Sequence, residues 1–262
     1  MSDFDRNAAT AFGRPLTRAE AAVVDEGLRA YMLRVYNYMV LGLAITGLAA
    51  LGVYMLSVTT DPALAVAKVR NIMLTQVGYT LFVSPVKWVV ILAPLALVFF
   101  LSFRIQNMRP ATAQLTFWIY AALVGVSLGS IFLIYTHTSI VRVFFITAAS
   151  FGALSLWGYT TNRDLTGMGS FLIMGLFGII IASLVNIFLA SSMMQWIISV
   201  VGVVVFAGLT AYDTQRLKNE YIYGAMDGEV MERSAIMGAL SLYLDFLNLF
   251  TMLLSLLGSR DE

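Results

Sequence analysis

Asp245 lies in a stretch, Ser234 to Ser259, that holds no other charged residue, and Asp213 closes the longest uncharged run of the chain, Leu165 to Tyr212. A carboxylate in the middle of such a segment is costly to place in lipid, at roughly +2.5 to +3.5 kcal/mol on insertion scales. Something in the fold must offset that cost. Two carboxylates that meet in a low-dielectric site cannot both ionise cheaply, so they share a proton and titrate as a pair. An arginine beside them competes with that proton, and Arg104, at the end of an apolar segment, is the expected cation. The outcome is a two-state element, neutral acid pair or ionised acid on arginine, of the kind a proton-gated pathway needs. The competing reading is structural: Asp213 paired with Arg216 or Lys218 at the interface, and Asp245 neutral and hydrogen-bonded to Asn248 or Ser241.

The chain that positions these acids has 262 residues, 60% of them hydrophobic and 12% charged. Soluble domains carry about 25% charged residues, so this one has too few to wet a surface. A net charge of +1 gives no attraction to nucleic acid or acidic substrates. The absence of cysteine rules out disulfides, thiolate metal sites and cysteine nucleophiles. His137, the single histidine, stands in a short polar turn without a second ligand, which makes a metal site a poor fit. With no phosphate-binding glycine loop and no Ser–His pair, neither enzyme activity nor a cofactor is expected. Intramembrane aspartyl proteases carry Gly-x-Gly-Asp at their second acid; Leu242-Tyr243-Leu244-Asp245 places bulky side chains there instead.

A spanning helix needs about 20 mostly apolar residues. Seven segments meet that need: Val35–Val58, Trp88–Phe103, Ala111–Tyr135, Ile140–Thr160, Gly169–Leu189, Gln195–Asp213 and Ala235–Leu257. Before them, residues 1–30 form a polar tail without the apolar region and cleavage site of a signal peptide. The expected organisation is therefore that tail, followed by a seven-helix transmembrane domain over residues 31–262. Thr59 to Lys87 is the one long connection, read as a loop covering the outer end. Its apolar pieces, Asn71–Leu74 and Leu81–Val83, carry the alternative of docking on the membrane face. Arg18, Arg29, Arg34, Arg104, Arg109, Arg163, Arg216, Lys218 and Arg233 fall on one side, against Lys68, Arg70, Lys87, Arg142 and Arg260 on the other. The more positive side is cytoplasmic, so the N-terminus is expected inside and the C-terminus outside.

Small residues at helical spacing let helix backbones approach where lipid supplies no hydrophobic drive. Gly125 and Gly129 form such a seam, as do Ala148, Gly152 and Ser155, and Gly175, Gly178, Ala182 and Asn186. The last span carries Gly238, Ser241, Asp245 and Asn248 on one stripe, with leucines and Phe250 elsewhere. A polar stripe turns away from lipid, which puts this helix inside the bundle. Asn186 is expected either to bond into the same interior or to serve its local backbone. Asp245 lies about 15 Å along its helix from Ala235 at about 1.5 Å per residue, whereas Asp213 lies only three residues before Arg216. The acids meet only if the sixth helix continues past Asp213.

Ala239 to Phe250, which reads ALSLYLDFLNLF, resembles the last-helix signature of the Bax inhibitor-1 family, in its bacterial YccA-like branch. Ala211-Tyr212-Asp213-Thr214-Gln215 with Arg216-Leu217-Lys218 is similar to that family's sixth-helix motif. Ser155 to Thr161 and Asp164 to Gly169 resemble its fourth-to-fifth helix region. The resemblance implies an all-α inner-membrane protein with two three-helix layers around a central last helix. It implies a pH-sensitive calcium leak gated by an aspartate pair, carried over to Asp213 and Asp245, with the partner arginine carried over to Arg104. Such a protein would pass Ca²⁺ and H⁺, with Asp213 and Asp245 as transient oxygen ligands; two acids suit passage better than tight storage. Asn248, Ser241 and Asn186 are the supporting polar residues. The family also includes members linked to cell-death suppression and to a membrane-bound AAA protease. That leaves a second expectation, a regulatory protein that binds another membrane protein through its N-terminal tail.

Overall fold

The computed structural model describes residues 18–223 and 228–260; side chains are described from residue 24 onward and not at 222–223. Its helices are α1 (Arg18–Ser57), the short α2 (Gln76–Phe82), α3 (Val86–Arg104), α4 (Pro110–Leu128), α5 (His137–Thr160), α6 (Thr166–Leu189), α7 (Ser192–Tyr223) and α8 (Gly228–Leu257). Among the described residues, seven are long and apolar enough to cross a membrane, all but α2. The protein is thus a multi-pass, all-α membrane protein with the seven spans expected from hydropathy.

The boundaries differ instructively. α1 starts at Arg18, so residues 18–30 of the expected tail are helical, and Leu28 is buried; residues 1–17 lie outside the described residues. The third span changes after Leu128 into a 3₁₀ turn over Gly129–Leu133. The sixth span, expected to stop at Asp213, runs on as helix to Tyr223. That extension removes the depth mismatch between the two acids.

Two compact units divide the chain: residues up to Asn37 together with Arg142–Leu257, and Tyr38–Val141 together with the residues from Gly258. In the first unit α7 packs along α8 and α6 along α7. Leu172 and Ile179 of α6, Ile198, Val205, Phe206 and Leu209 of α7, and Leu249 of α8 form its core. Phe144 and Phe151 of α5 meet Phe246 edge-on, with centroids 5.6 Å away in each case. α8 has the largest buried share of the seven spans. Leu240, Leu242, Tyr243 and Leu254 are buried along with Asp245, while Ser241 and Asn248 are half-buried. Burial therefore reaches faces well beyond the polar stripe, the state of a helix enclosed on most sides.

In the second unit, Gly125 of α4 faces the backbone of Thr46, where a Cβ would collide with the carbonyl oxygen. Thr46 Oγ1 donates to Ala121 O and Gly42 O, each at 2.9 Å, and fixes the α1–α4 seam. Gly129 lies against Val53 and Phe82. The expected seams of the first unit divide: among the described residues nothing stands within 4 Å of a Cβ at Gly152 or Gly178, whereas Gly175 lies against Val205. The connection from 58 to 85 is folded rather than irregular. β1 (Val58–Thr59), β2 (Ala67–Val69) and β3 (Ile72–Leu74) make an antiparallel sheet in the order β1-β3-β2, and α2 follows. The β2–β3 turn holds Arg70 at φ 53°, a left-handed position in which an L side chain is uncommon. His137, at the start of α5, is exposed and rests on Tyr54 and Phe132.

Candidate functional site: a buried acid pair on consecutive helices

Every residue from Ala211 to Lys218 has a tertiary assignment. Ala211 is fully buried against Gly158 of α5, where any Cβ would strike its backbone. Tyr212 lays its ring over Gly169 of α6. Thr214 donates to Thr210 O at 2.8 Å and accepts from Ser155 Oγ at 2.9 Å. Ser155 in turn bonds the Tyr36 hydroxyl, so one hydroxyl ladder joins α1, α5 and α7. The Gln215 amide clamps the α5–α6 link: Leu165 N donates to its Oε1 at 2.9 Å, and its Nε2 donates to Arg163 O at 2.8 Å. Leu217 fills the space beside Gly238 of α8. Lys218 Nζ donates to Tyr159 O at 3.0 Å, satisfying a carbonyl at the end of α5.

This scaffold brings Asp213 and Asp245 into the interior, 8% and 5% exposed. Arg216 lies one turn after Asp213 on α7, and Ser241 lies one turn before Asp245 on α8. Arg216 Nη1 stands 3.3 Å from Asp213 Oδ1, and Nη2 donates to Ser241 Oγ at 3.2 Å. The guanidinium also lies over the Tyr212 ring, 5.9 Å from its centroid. Oδ2 of Asp245 is buried without a hydrogen-bond partner among the described residues. Such an unsatisfied acceptor is uncommon in native interiors, and an ionised one would carry a severe desolvation cost. The site can therefore hold a proton at Asp245, or admit a water or a cation there.

The expected supporting residues divide. Ser241 reaches the site through Arg216, whereas Asn248 Nδ2 donates to Leu244 O on its own helix at 2.8 Å. Asn186 serves the α6–α7 turn: Ser191 N donates to its Oδ1 at 3.1 Å and its Nδ2 donates to Gln195 Oε1 at 3.3 Å. Ala190 takes a left-handed conformation in that turn, at φ 50°. The local-backbone alternative for Asn186 is thus the one realised. Arg104 ends α3 with its side chain exposed and belongs to the other unit. The cation placed on Asp213 is Arg216, the ion pair of the structural reading, with a bond on to Ser241 that neither reading expected. The Ser155–Thr214 bond and the Gln215 clamp were missed; the conjunction of these polar types with an acid inside one short motif was their signal.

Seven helices of spanning length, the last two each carrying a buried acid, define a multi-pass membrane protein. The sequence model described as "Inhibitor of apoptosis-promoting Bax1" matches residues 28–262, and the chain belongs to this Bax inhibitor-1 family. The match extends well beyond Ser155–Phe250, the stretch that carries the motifs. Similar proteins include RP147 of Rickettsia prowazekii, 49% identical over 94% of this chain and 96% of its own length. A protein of Caulobacter vibrioides is 45% identical across the whole of both chains. The inner membrane protein YbhL of Escherichia coli K12 is 44% identical over 89% of this chain and 93% of its own.

Proposed function

We propose that this protein is a pH-sensitive calcium leak of the inner membrane, gated by the Asp213–Asp245 pair with Arg216 as its counter-charge. The observation that carries this is an arginine that pairs with the buried Asp213 of α7 and bonds Ser241 of α8, one turn before a buried Asp245 whose Oδ2 has no partner among the described residues. The gate has two arrangements. In one, an ionised acid holds Arg216 and, through it, Ser241 of α8. In the other, the pair takes up a proton, the hold of Arg216 on α7 and α8 weakens, and the helices are free to shift. Both states hinge on the same two oxygens, so a proton and a hard cation compete for them. Calcium is the permeant ion, and no bound cofactor or catalytic step is involved.

The name of YbhL supports the inner-membrane assignment. The excess of lysine and arginine on the side that holds Arg34, Arg104, Arg109, Arg163 and Arg233 supports a cytoplasmic N-terminus and an outer C-terminus. The test is Ca²⁺ flux into proteoliposomes across pH for the wild type, Asp213→Asn and Asp245→Asn. A pH-dependent flux in the wild type that flattens in both variants supports the gate. An unaltered pH profile in both, or no Ca²⁺ flux by the wild type at any pH, would overturn it.

A further inference from the structure

The connection between α1 and α3 leaves and returns on the same side of the bilayer, since one helix ends at Ser57 and the other begins at Val86. α2 is pinned at this level. Thr75 N donates to Ser57 O at 3.0 Å, Thr75 Oγ1 donates to Leu56 O at 2.7 Å, and Gly78 abuts the Ser57 backbone. At its far end Phe82 lies against Gly129. The inner side of the short helix is thereby fixed on the spans. Its other side shows Gln76 and Thr80, flanked by Val77 and Tyr79 at 45% and 37% exposure, with Val83 at 39% just past its end.

Two residues separate Val83 from the exposed Val86, which opens α3. Ser84 makes the joint rigid: its N–H donates to Tyr79 O at 2.9 Å, its Oγ donates to Thr80 O at 2.7 Å, and Val86 N donates to that Oγ at 3.2 Å. Immediately beyond come Val86 and Trp88, both exposed, with Lys87 Nζ 5.7 Å from the Trp88 ring centroid. A tryptophan with an apolar body and a polar tip, beside a lysine whose stem can snorkel, is the chemistry of the headgroup level. A short helix that carries polar Gln76 and Thr80 between apolar Val77 and Val83, beside such a pair, matches an interfacial helix at the boundary of headgroups and acyl chains.

The geometry points to an interaction surface formed by Val77, Tyr79, Val83, Val86 and Trp88 whose partner is lipid: α2 lies in the bilayer interface and anchors the α1–α3 connection to it. The charged residues of the sheet, Lys68 and Arg70, with Asp61, are exposed and belong to water.

The chain contains no cysteine, so single-cysteine variants need no prior substitutions. The full-length protein carrying Val77→Cys, Val83→Cys, Lys68→Cys or, as a bilayer reference, Val89→Cys is spin-labelled and placed in phosphatidylethanolamine–phosphatidylglycerol vesicles. Collision with oxygen, which concentrates in lipid, is compared with collision by a water-soluble nickel chelate. Labels at 77 and 83 are expected to favour oxygen, as at 89, at a depth of about 5–10 Å below the headgroups, and the label at 68 to favour nickel. Nickel access at 77 and 83 equal to that at 68 overturns the inference by showing a water-facing helix. Closure to both reagents overturns it by showing that protein, such as a second copy, covers the face.

Discussion

Nη1 of Arg216 stands 3.3 Å from Oδ1 of Asp213, one helical turn earlier on α7. The same guanidinium donates to Ser241 on α8, so an intrahelical ion pair also spans two helices. Its side chain is 44% exposed, which softens the pair electrostatically and leaves room for the arginine to move.

Arg216→Gln removes the charge that favours the ionised acid. The midpoint of Ca²⁺ flux is expected to move to higher pH. A partly exposed ion pair contributes up to about 1 kcal/mol, against about 1.4 kcal/mol per pH unit, so the shift stays below about one unit. Arg104→Gln should leave the midpoint in place. Flux measured across pH for both variants decides between the two arginines: a shift for Arg104→Gln alone removes Arg216 from the gate.

Burying Asp245 costs the fold stability. Its buried Oδ2 lacks a partner, and an unsatisfied buried acceptor costs about 1–3 kcal/mol. Asp245→Leu, which fills the same space with apolar atoms, is expected to raise the unfolding temperature in detergent while abolishing the pH dependence of flux. A lower unfolding temperature would show that the carboxylate holds the helices together.

Glycines at equivalent-looking places on α5 should respond oppositely. A Cβ at Gly158 would collide with the Ala211 backbone, whereas one at Gly152 meets nothing within 4 Å. Gly158→Ala is expected to destabilise by about 1–3 kcal/mol through overpacking. Gly152→Ala should stabilise by about 0.5–1 kcal/mol through helix propensity. Thermal unfolding of the two variants gives the comparison; equal effects would remove the α5–α7 contact at Gly158.

Asp164 lies outside the spans, and its carboxyl is held below the ordinary carboxylate range by the side-chain and backbone hydrogen bonds from Thr166. A folded value lower than the unfolded one contributes stability above the unfolded value, lost as pH falls through the folded one. The start of α6 should thus stay ordered through the usual carboxylate range near about 3.9 and fray only below it. Amide exchange at Thr166 across acid pH measures this, and Asp164→Ala should show the faster exchange already at neutral pH.

The seven spans were legible because hydropathy over about 20 residues depends on lipid rather than on the rest of the fold. Asp213 and Asp245 stood out because an isolated acid in such a run has no local explanation. The folded piece from 58 to 85 was not legible: its strands are two or three residues long, too short for an alternating pattern, and they form only by pairing with each other. The glycine seams were only partly readable, since spacing places a residue on a helix face but does not choose the neighbour that face meets.

Composition and charge pattern alone determined that this chain lives in a bilayer and buries two carboxylates near its end. Tertiary structure decided what Arg216 meets. Arg104 and Arg216 both flank apolar spans in the sequence, but the continuation of α7 past Asp213 turns Arg216 back onto the acid one turn earlier and across to Ser241. It also decided that Asn186 closes a turn and that Gln215 ties two helices to a third. Side-chain partners of this kind arise from packing angles between helices, which no local stretch of sequence encodes.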